Sequence, residues 1–369
     1  MSLERQILFW AIVLAAISYG LHVLGSAVTP FAAGIALGYL LDPLVSKMEA
    51  VGLNRLSAAL LILFVFLAIL TFALVVVAPI VASQLVAFAQ RLPGYAMRLQ
   101  SLAIEEGRAI MQSYGGGWLG ALGLSETIST SQIQKSVADF VGEGAQWIVN
   151  ALRSVVSGGA AVFGFLSLLV ITPVVAFYIL VDWRRMIGEI DSWLPLDHRD
   201  LLRSMAKEID HALAGFIRGQ SLVCLFLGLW YGIGLTLIGL DFGFLIGSLA
   251  GVLSFVPYVG SLTALVLSLG VALVQGWPSL RPFVMALAVV GVGQFLEGNV
   301  LSPRLVGKSI GLHPVWLMFA LLAFGELFGF VGLVVAVPTA AAIGVVARHL
   351  IALYLRSPFY RGRSAAARQ

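Results

Sequence analysis

The sequence predicts an all-α polytopic membrane protein with about eight membrane segments, two of them broken or re-entrant, and an amphipathic helical insert. Composition is the first reason. Hydrophobic residues make up 60% of the 369-residue chain and charged residues 11%, against about 45–50% and about 25% in soluble domains. Mean hydropathy is +1.00, more apolar surface than a soluble fold can hide. The second reason is pattern: the apolar residues fall in continuous runs of membrane-crossing length, about 20 residues for a helix.

Taken in chain order, the first run is Ile7 to Leu24. It is longer than the core of a cleaved signal peptide, about 7–15 residues, and a retained span is expected. Ser26 to Leu41 is short, interrupted by Thr29-Pro30 and closed by Asp42-Pro43, so the first two segments are expected to form a short tilted hairpin. Leu56 to Ile80 completes an N-terminal membrane part over 1–83.

Residues 84–157 form an amphipathic extramembrane insert. Ile133, Val137, Phe140, Ile148, Leu152 and Val155 recur at helical spacing, and Ser131-Gln132-Ile133-Gln134 reads as a capping box. Gly115-Gly116-Gly117, with Gly120 and Gly123, marks a flexible link before that helix. A membrane segment at 158–181, centred on Ala160 to Val181, precedes a second amphipathic insert at 182–220. There Asp197 can cap a helix with Leu201, Met205, Ile209 and Leu213 on one face, expected to lie along the membrane surface.

The C-terminal membrane core, 221–347, contains Leu222 to Leu240, Phe242 to Val274, Pro282 to Leu301 and Val315 to Val346, followed by a basic tail over 348–369. The second and fourth of these runs are too long for one straight span, at about 1.5 Å per residue against a hydrocarbon core of about 30 Å. Each must bend or re-enter. The expected breaks are Pro257 and Gly260 in the first, and Gly325, Gly329 and Pro338 in the second.

The net charge of +4 is spread beside the apolar runs and forms no basic stripe with interleaved aromatics, which argues against nucleic acid. Arg184, Arg185, Arg199, Arg203, Lys207 and Arg218, with Arg5, Lys47, Arg55 and the arginines of the tail, instead place the N- and C-termini in the cytoplasm of an inner-membrane protein. Trp183, Trp193, Trp277, Trp316 and Tyr354 sit near run ends, as an interfacial belt requires. The single Cys224 allows no intramolecular disulfide and no cysteine-based metal site.

No G-x-S-x-G, no H-E-x-x-H and no His-carboxylate cluster is present, so no catalytic residue, metal site or cofactor is expected. Gly307-Lys308-Ser309 resembles the end of a phosphate-binding loop, but Ser302 stands where that loop needs glycine. Ionisable groups at membrane depth are costly, about 2.5–3.5 kcal/mol or more, and draw attention to Glu297 and Glu326. Gln294, Asn299 and Arg304 near Glu297 complete the candidate solute or ion path. Each has a structural alternative: a local ion pair or interfacial turn for the glutamates, a helix cap for Asn299, headgroup contact for Arg304 and Lys308.

Phe177 to Val346 carries a resemblance to the autoinducer-2 exporter family of transporters. It rests on Leu194-Pro195, Glu208-Ile209-Asp210, Gly219-Gln220, and Phe255-Val256-Pro257-Tyr258-Val259-Gly260. It continues through Glu297-Gly298-Asn299, Pro303-Arg304-Leu305-Val306-Gly307-Lys308, Gly311-Leu312-His313-Pro314, Phe328-Gly329-Phe330-Val331-Gly332-Leu333 and Ala336-Val337-Pro338. Upstream, the similarity is one of layout. The resemblance implies a secondary transporter without ATP, exporting an autoinducer-2-like signal or exchanging sodium or lithium for protons. The expected partners are the lipid bilayer and a small solute, or a cation with a proton; the amphipathic insert is where a homo-oligomer would make contacts. A membrane scaffold without transport is the reading from another class.

Overall fold

The computed structural model describes residues 25–114, 159–306, 313–356 and Tyr360, and no strand occurs among them. The first expected span, the capping box, the Ile133 face, the glycine link and Lys308 lie outside the described residues. The helices are α1 (Gly25–Ala50), α2 (Arg55–Tyr114), α3 (Gly159–Ser192), α4 (Arg199–Leu237), α5 (Gly243–Leu253), α6 (Val259–Gly276), α7 (Arg281–Leu296) and α8 (Pro314–Arg356). A 3₁₀ turn, Leu196–His198, precedes α4, and a π-helical segment, Glu297–Val306, continues α7. Six described helical stretches are long and apolar enough to cross a membrane. The chain is therefore an all-α, multi-pass membrane protein.

Several helices run past their apolar stretches, α2 and α4 furthest. α2 has 60 residues, about 90 Å at 1.5 Å each, and passes both Pro79 and Pro93 without ending. α4 has 39 residues. The sequence suggests a separate surface helix before its apolar half; the structure makes the amphipathic and apolar halves one helix, with no proline between Arg199 and Leu237 to stop it. Phe64, Ile69, Phe72 and Val75 of α2 are each more than 60% exposed. Side chains of this kind belong in hydrocarbon.

The chain divides into two compact units. The first comprises Met1–Leu70, Gly164–Val223 and Leu296–Gln369. Within it α1 meets α3 at two glycines one turn apart. A Cβ on Gly34 would lie 2.6 Å from Val175 Cβ, and one on Gly38 2.6 Å from Ile179 Cγ2, so only glycine lets the helices approach this closely. Leu41, Val45, Ala58, Ala59, Leu63 and Leu180 fill the space between α1, α2 and α3.

Arg55 ties the polar ends of those three helices. Its Nε donates to Leu180 O at 2.6 Å, and its other nitrogens pair with Asp42 at 3.0 Å and Glu49 at 3.2 Å. Arg184 also donates to Glu49. The turn from α3 to α4 is held by Asp191, which pairs with Arg203 at 2.6 Å and Arg199 at 3.0 Å. Hydrogen bonds from Arg203, with the charge of both arginines, bring the Asp191 carboxyl down to about 2. Further along, Glu208 of α4 pairs with Arg348 of α8 at 2.7 Å.

The second unit comprises Thr71–Phe163 and Cys224–Phe295. There α4 and α5 cross with backbones almost touching. A Cβ at Gly247 would overlap the Gly232 backbone, and one at Gly251 would overlap Gly228. Trp230 Nε1 donates to Val289 O of α7 at 3.0 Å, and fully buried Tyr231 packs on Gly293.

The Arg55 knot makes a testable contrast with a surface pair. Arg55→Ala leaves Asp42 without its cation and removes one of the two arginines on Glu49, and is expected to cost about 1.5–3 kcal/mol. Arg185→Ala removes an exposed i,i+4 pair with Glu189 and is expected to change stability by less than about 0.5 kcal/mol. Thermal unfolding of the detergent-purified variants separates the two.

Candidate functional site

The features expected to build a path are the two interrupted segments and the stretch after α7. In the first interrupted segment α5 has 11 residues, about 16 Å, half of a hydrocarbon core of about 30 Å. The chain then turns over Ser254–Tyr258 and returns as α6. Gln275, next to last in α6, donates Nε2 to Gly239 O at 2.8 Å and accepts from Asp241 N at 2.9 Å. The end of α6 therefore lies beside the loop that starts α5, and the pair is a helical hairpin.

The tip of this hairpin pairs its own backbone. Ser254 N donates to Ala250 O, Phe255 N to Val252 O, Val256 N to Leu253 O and Val259 N to Val256 O. Pro257 sits among them with no N–H to satisfy. Tyr258 has φ of 69°, an unfavourable left-handed conformation for an aromatic residue, and hands the chain to α6. A Cβ on Gly260 would overlap Ser254, so only glycine fits where α6 passes the end of α5.

α2 clamps the other end. Gln84 Oε1 accepts from Leu245 N at 2.9 Å and so caps one of the unpaired N–H groups at the start of α5. Asp241 lies two residues before α5, where a carboxylate complements the helix dipole. It accepts from Arg91 and from Tyr95 OH, each at 3.0 Å. Phe242, at φ 59°, packs edge-on against Phe88 and Tyr95. These residues were not legible as a set, because Gln84 and Leu245 stand far apart in sequence.

The second hairpin lies in the first unit, within α8. At Gly329, φ is 61° and ψ −141°, a conformation open essentially to glycine alone. The arms Pro314–Gly329 and Gly332–Leu355 fold back on each other: a Cβ on Gly332 would overlap Phe324 O, and one on Gly325 would lie 2.9 Å from Leu333 Cδ2. Pro338 stays inside the second arm. Glu326 is exposed on the first arm, close to the tip.

Glu297, Asn299 and Arg304 share the π-helical segment. Glu297 is half-buried, and Asn299 and Arg304 are exposed. π-helical turns widen the helix and are frequent at functional sites. This one meets α4 at Gly219, where any Cβ would overlap Leu305 O. Gln294 belongs to the second unit, and its Nε2 donates to Tyr231 OH at 3.0 Å. Among the described residues no three His, Cys, Asp or Glu side chains gather as a metal site.

Long apolar helices, together with two hairpins that each join a short apolar helix to one long enough to cross, mark a multi-pass membrane protein. A family model described as "AI-2E family transporter" matches residues 8–352. The chain belongs to that family. It is 30% identical over 322 residues to "Putative transport protein YrrI" of Bacillus subtilis (strain 168), covering 87% of this chain and 86% of the relative. Similarity to "Putative permease PerM" of Escherichia coli (strain K12) is 28% over 322 residues, covering 86% and 85%. "Putative transport protein YueF" of Bacillus subtilis is 29% identical over 316 residues, covering 84% and 80%.

Gly329→Ala forces a side chain into the excluded conformation and is expected to cost about 1–3 kcal/mol. Gly298→Ala, where a Cβ meets open space, is expected to be neutral. Comparison of their unfolding midpoints with that of the parent protein checks both.

Proposed function

We propose that the chain is an inner-membrane secondary transporter that exports a small, uncharged, autoinducer-2-like solute, driven by an ion gradient. The observation that carries this reading is the pair of helical hairpins. We read both as re-entrant, and broken helices that turn at membrane depth are a recurring device of transporters, where motion of the tip can offer its carbonyls to a solute. The charge rule puts both termini, the α3–α4 turn and the end of the π-helical segment with Arg304 on the cytoplasmic side.

Glu297 and Glu326 are the groups proposed to exchange a proton with the gradient, while Gln294, Asn299 and Arg304 offer polar contacts along the path. The tips around Pro257, Gly260 and Gly329 are proposed to move as the path opens. An uncharged cargo is favoured over a sodium or lithium ion because the buried polar residues described are Gln220, Ser254 and Ser268. No carboxylate is among them, and a dehydrated cation needs charged or convergent oxygen ligands.

Proteoliposomes loaded with a pH-sensitive dye test the reading. Furanone flux accompanied by proton movement is expected, with Glu297→Gln or Glu326→Gln slowing it about tenfold or more, as loss of a general acid–base group does. Proton movement driven by sodium alone would establish the antiporter reading instead. Unaltered flux in both variants would remove the glutamates from the mechanism, and no flux of either kind would favour a scaffold.

A further inference from the structure

In the first unit α1, α3 and α4 enclose a small cleft of about 80 Å³ that the candidate path does not use. Gly38, Tyr39 and Asp42 come from α1, Leu180 and Trp183 from α3, and Asp210, Ala214 and Arg218 from α4. Ala214 adds only a methyl group to the lining, and Gly38 lets α1 lie close against Ile179 of α3. Tyr39 OH donates to Asp210 Oδ1 at 2.8 Å, and the Trp183 ring stands edge-on to Tyr39 at 6.0 Å.

The lining carries both signs of charge at separate places. Asp42 is offset by Arg55, 3.0 Å away, and Asp210 keeps its second oxygen for another donor. Among the described residues Arg218 makes no ion pair; its Nε donates to Ala214 O at 2.9 Å, which turns the guanidinium back along its own helix. The remaining guanidinium nitrogens keep their donors for a planar, multi-oxygen anion. A guanidinium and carboxylates lining one cleft complement a zwitterion better than an ion of either sign.

The surroundings select the source. Asp210, Ala214, Arg218 and Leu222 follow one another at i,i+4 along α4, and Phe31, Ile35 and Tyr39 do so along α1. Past the cleft both stripes become exposed and apolar: Leu222 is 49% exposed, Phe31 52% and Ile35 40%. A polar head in the cleft would thus have hydrocarbon surface beside it. Arg, Tyr and Trp at the start of an apolar run are also the residues of a membrane interface.

We infer that this cleft binds a phospholipid headgroup in which a primary ammonium and a phosphate are joined by a short bridge, as in phosphatidylethanolamine. Arg218 takes the phosphate. Asp210, Asp42 and the Tyr39 oxygen accept the three ammonium hydrogens. A trimethylammonium lacks those hydrogens and exceeds the space, and a purely anionic head meets two carboxylates.

Full-length protein in detergent, offered equal amounts of phosphatidylethanolamine, phosphatidylcholine and phosphatidylglycerol, tests this by native mass spectrometry of the retained lipid. Phosphatidylethanolamine is expected to be retained roughly tenfold over either competitor, a difference of about 1.4 kcal/mol. Arg218→Gln and Asp210→Asn should each reduce it to the level of phosphatidylcholine. Equal retention of the three lipids by the parent protein overturns the inference without any variant, as does unchanged preference in both variants. Displacement of the lipid by an equal concentration of free phosphoethanolamine would assign the cleft to a soluble zwitterion and overturn the lipid assignment.

Discussion

A peptide N–H or C=O left unpaired in hydrocarbon costs several kcal/mol, and the two hairpins show how this chain reverses within apolar runs under that constraint. At the α5–α6 tip, short-range bonds pair the N–H groups of Ser254, Phe255, Val256 and Val259, and Pro257 has none to pair. At the start of α5, Gln84 supplies an acceptor from a helix remote in sequence. In α8 the reversal is confined to Gly329, and the arms close through Gly325 and Gly332. At the α5–α6 hairpin, local bonds, a proline without N–H and a side-chain amide meet needs that water meets in a soluble loop, while at Gly329 glycine supplies the conformation.

Close backbone approach has a second consequence. Glycine contacts join α1 to α3, α4 to α5 and α4 to the π-helical segment. Packing of this kind is van der Waals contact between surfaces without bulky side chains, the main attraction available between helices in lipid. Electrostatics is concentrated elsewhere. Arg55, Asp191 and Glu208 make their ion pairs at the polar ends of helices, where partial hydration lowers the cost of charge. The hairpin tips are thus held by shape and backbone pairing, and the helix ends, the start of α5 at Arg91 and Asp241 included, by charge.

Much of the architecture was legible because length is a hard limit in a membrane. Phe242 to Val274 and Val315 to Val346 exceed one span, and Gly and Pro near their middles point to interruptions. Proline alone was a poor guide: Pro79, Pro93, Pro173 and Pro338 all lie inside helices, whereas Gly329 turns the chain. The extent of α2 and the union of two halves in α4 were hidden because helices extend past the apolar run that reveals them. The clamp of Gln84 and Asp241, and the cleft of Tyr39, Asp210 and Arg218, depend on pairings between distant positions, which local periodicity does not encode. Of the candidate path, Glu297, Asn299 and Arg304 could be read as neighbours from spacing, but the π register and its contact with Gly219 could not.

Re-entry of the α5–α6 hairpin can be settled by thiol labelling. In a Cys224→Ser background, single cysteines at Leu237, before α5, and Ser279, after α6, are treated with a membrane-impermeant reagent from one face of the membrane at a time. Re-entry requires both positions to label from the same face. Labelling from opposite faces would mean that the segment crosses the membrane, contradicting the hairpin and the path proposed from it.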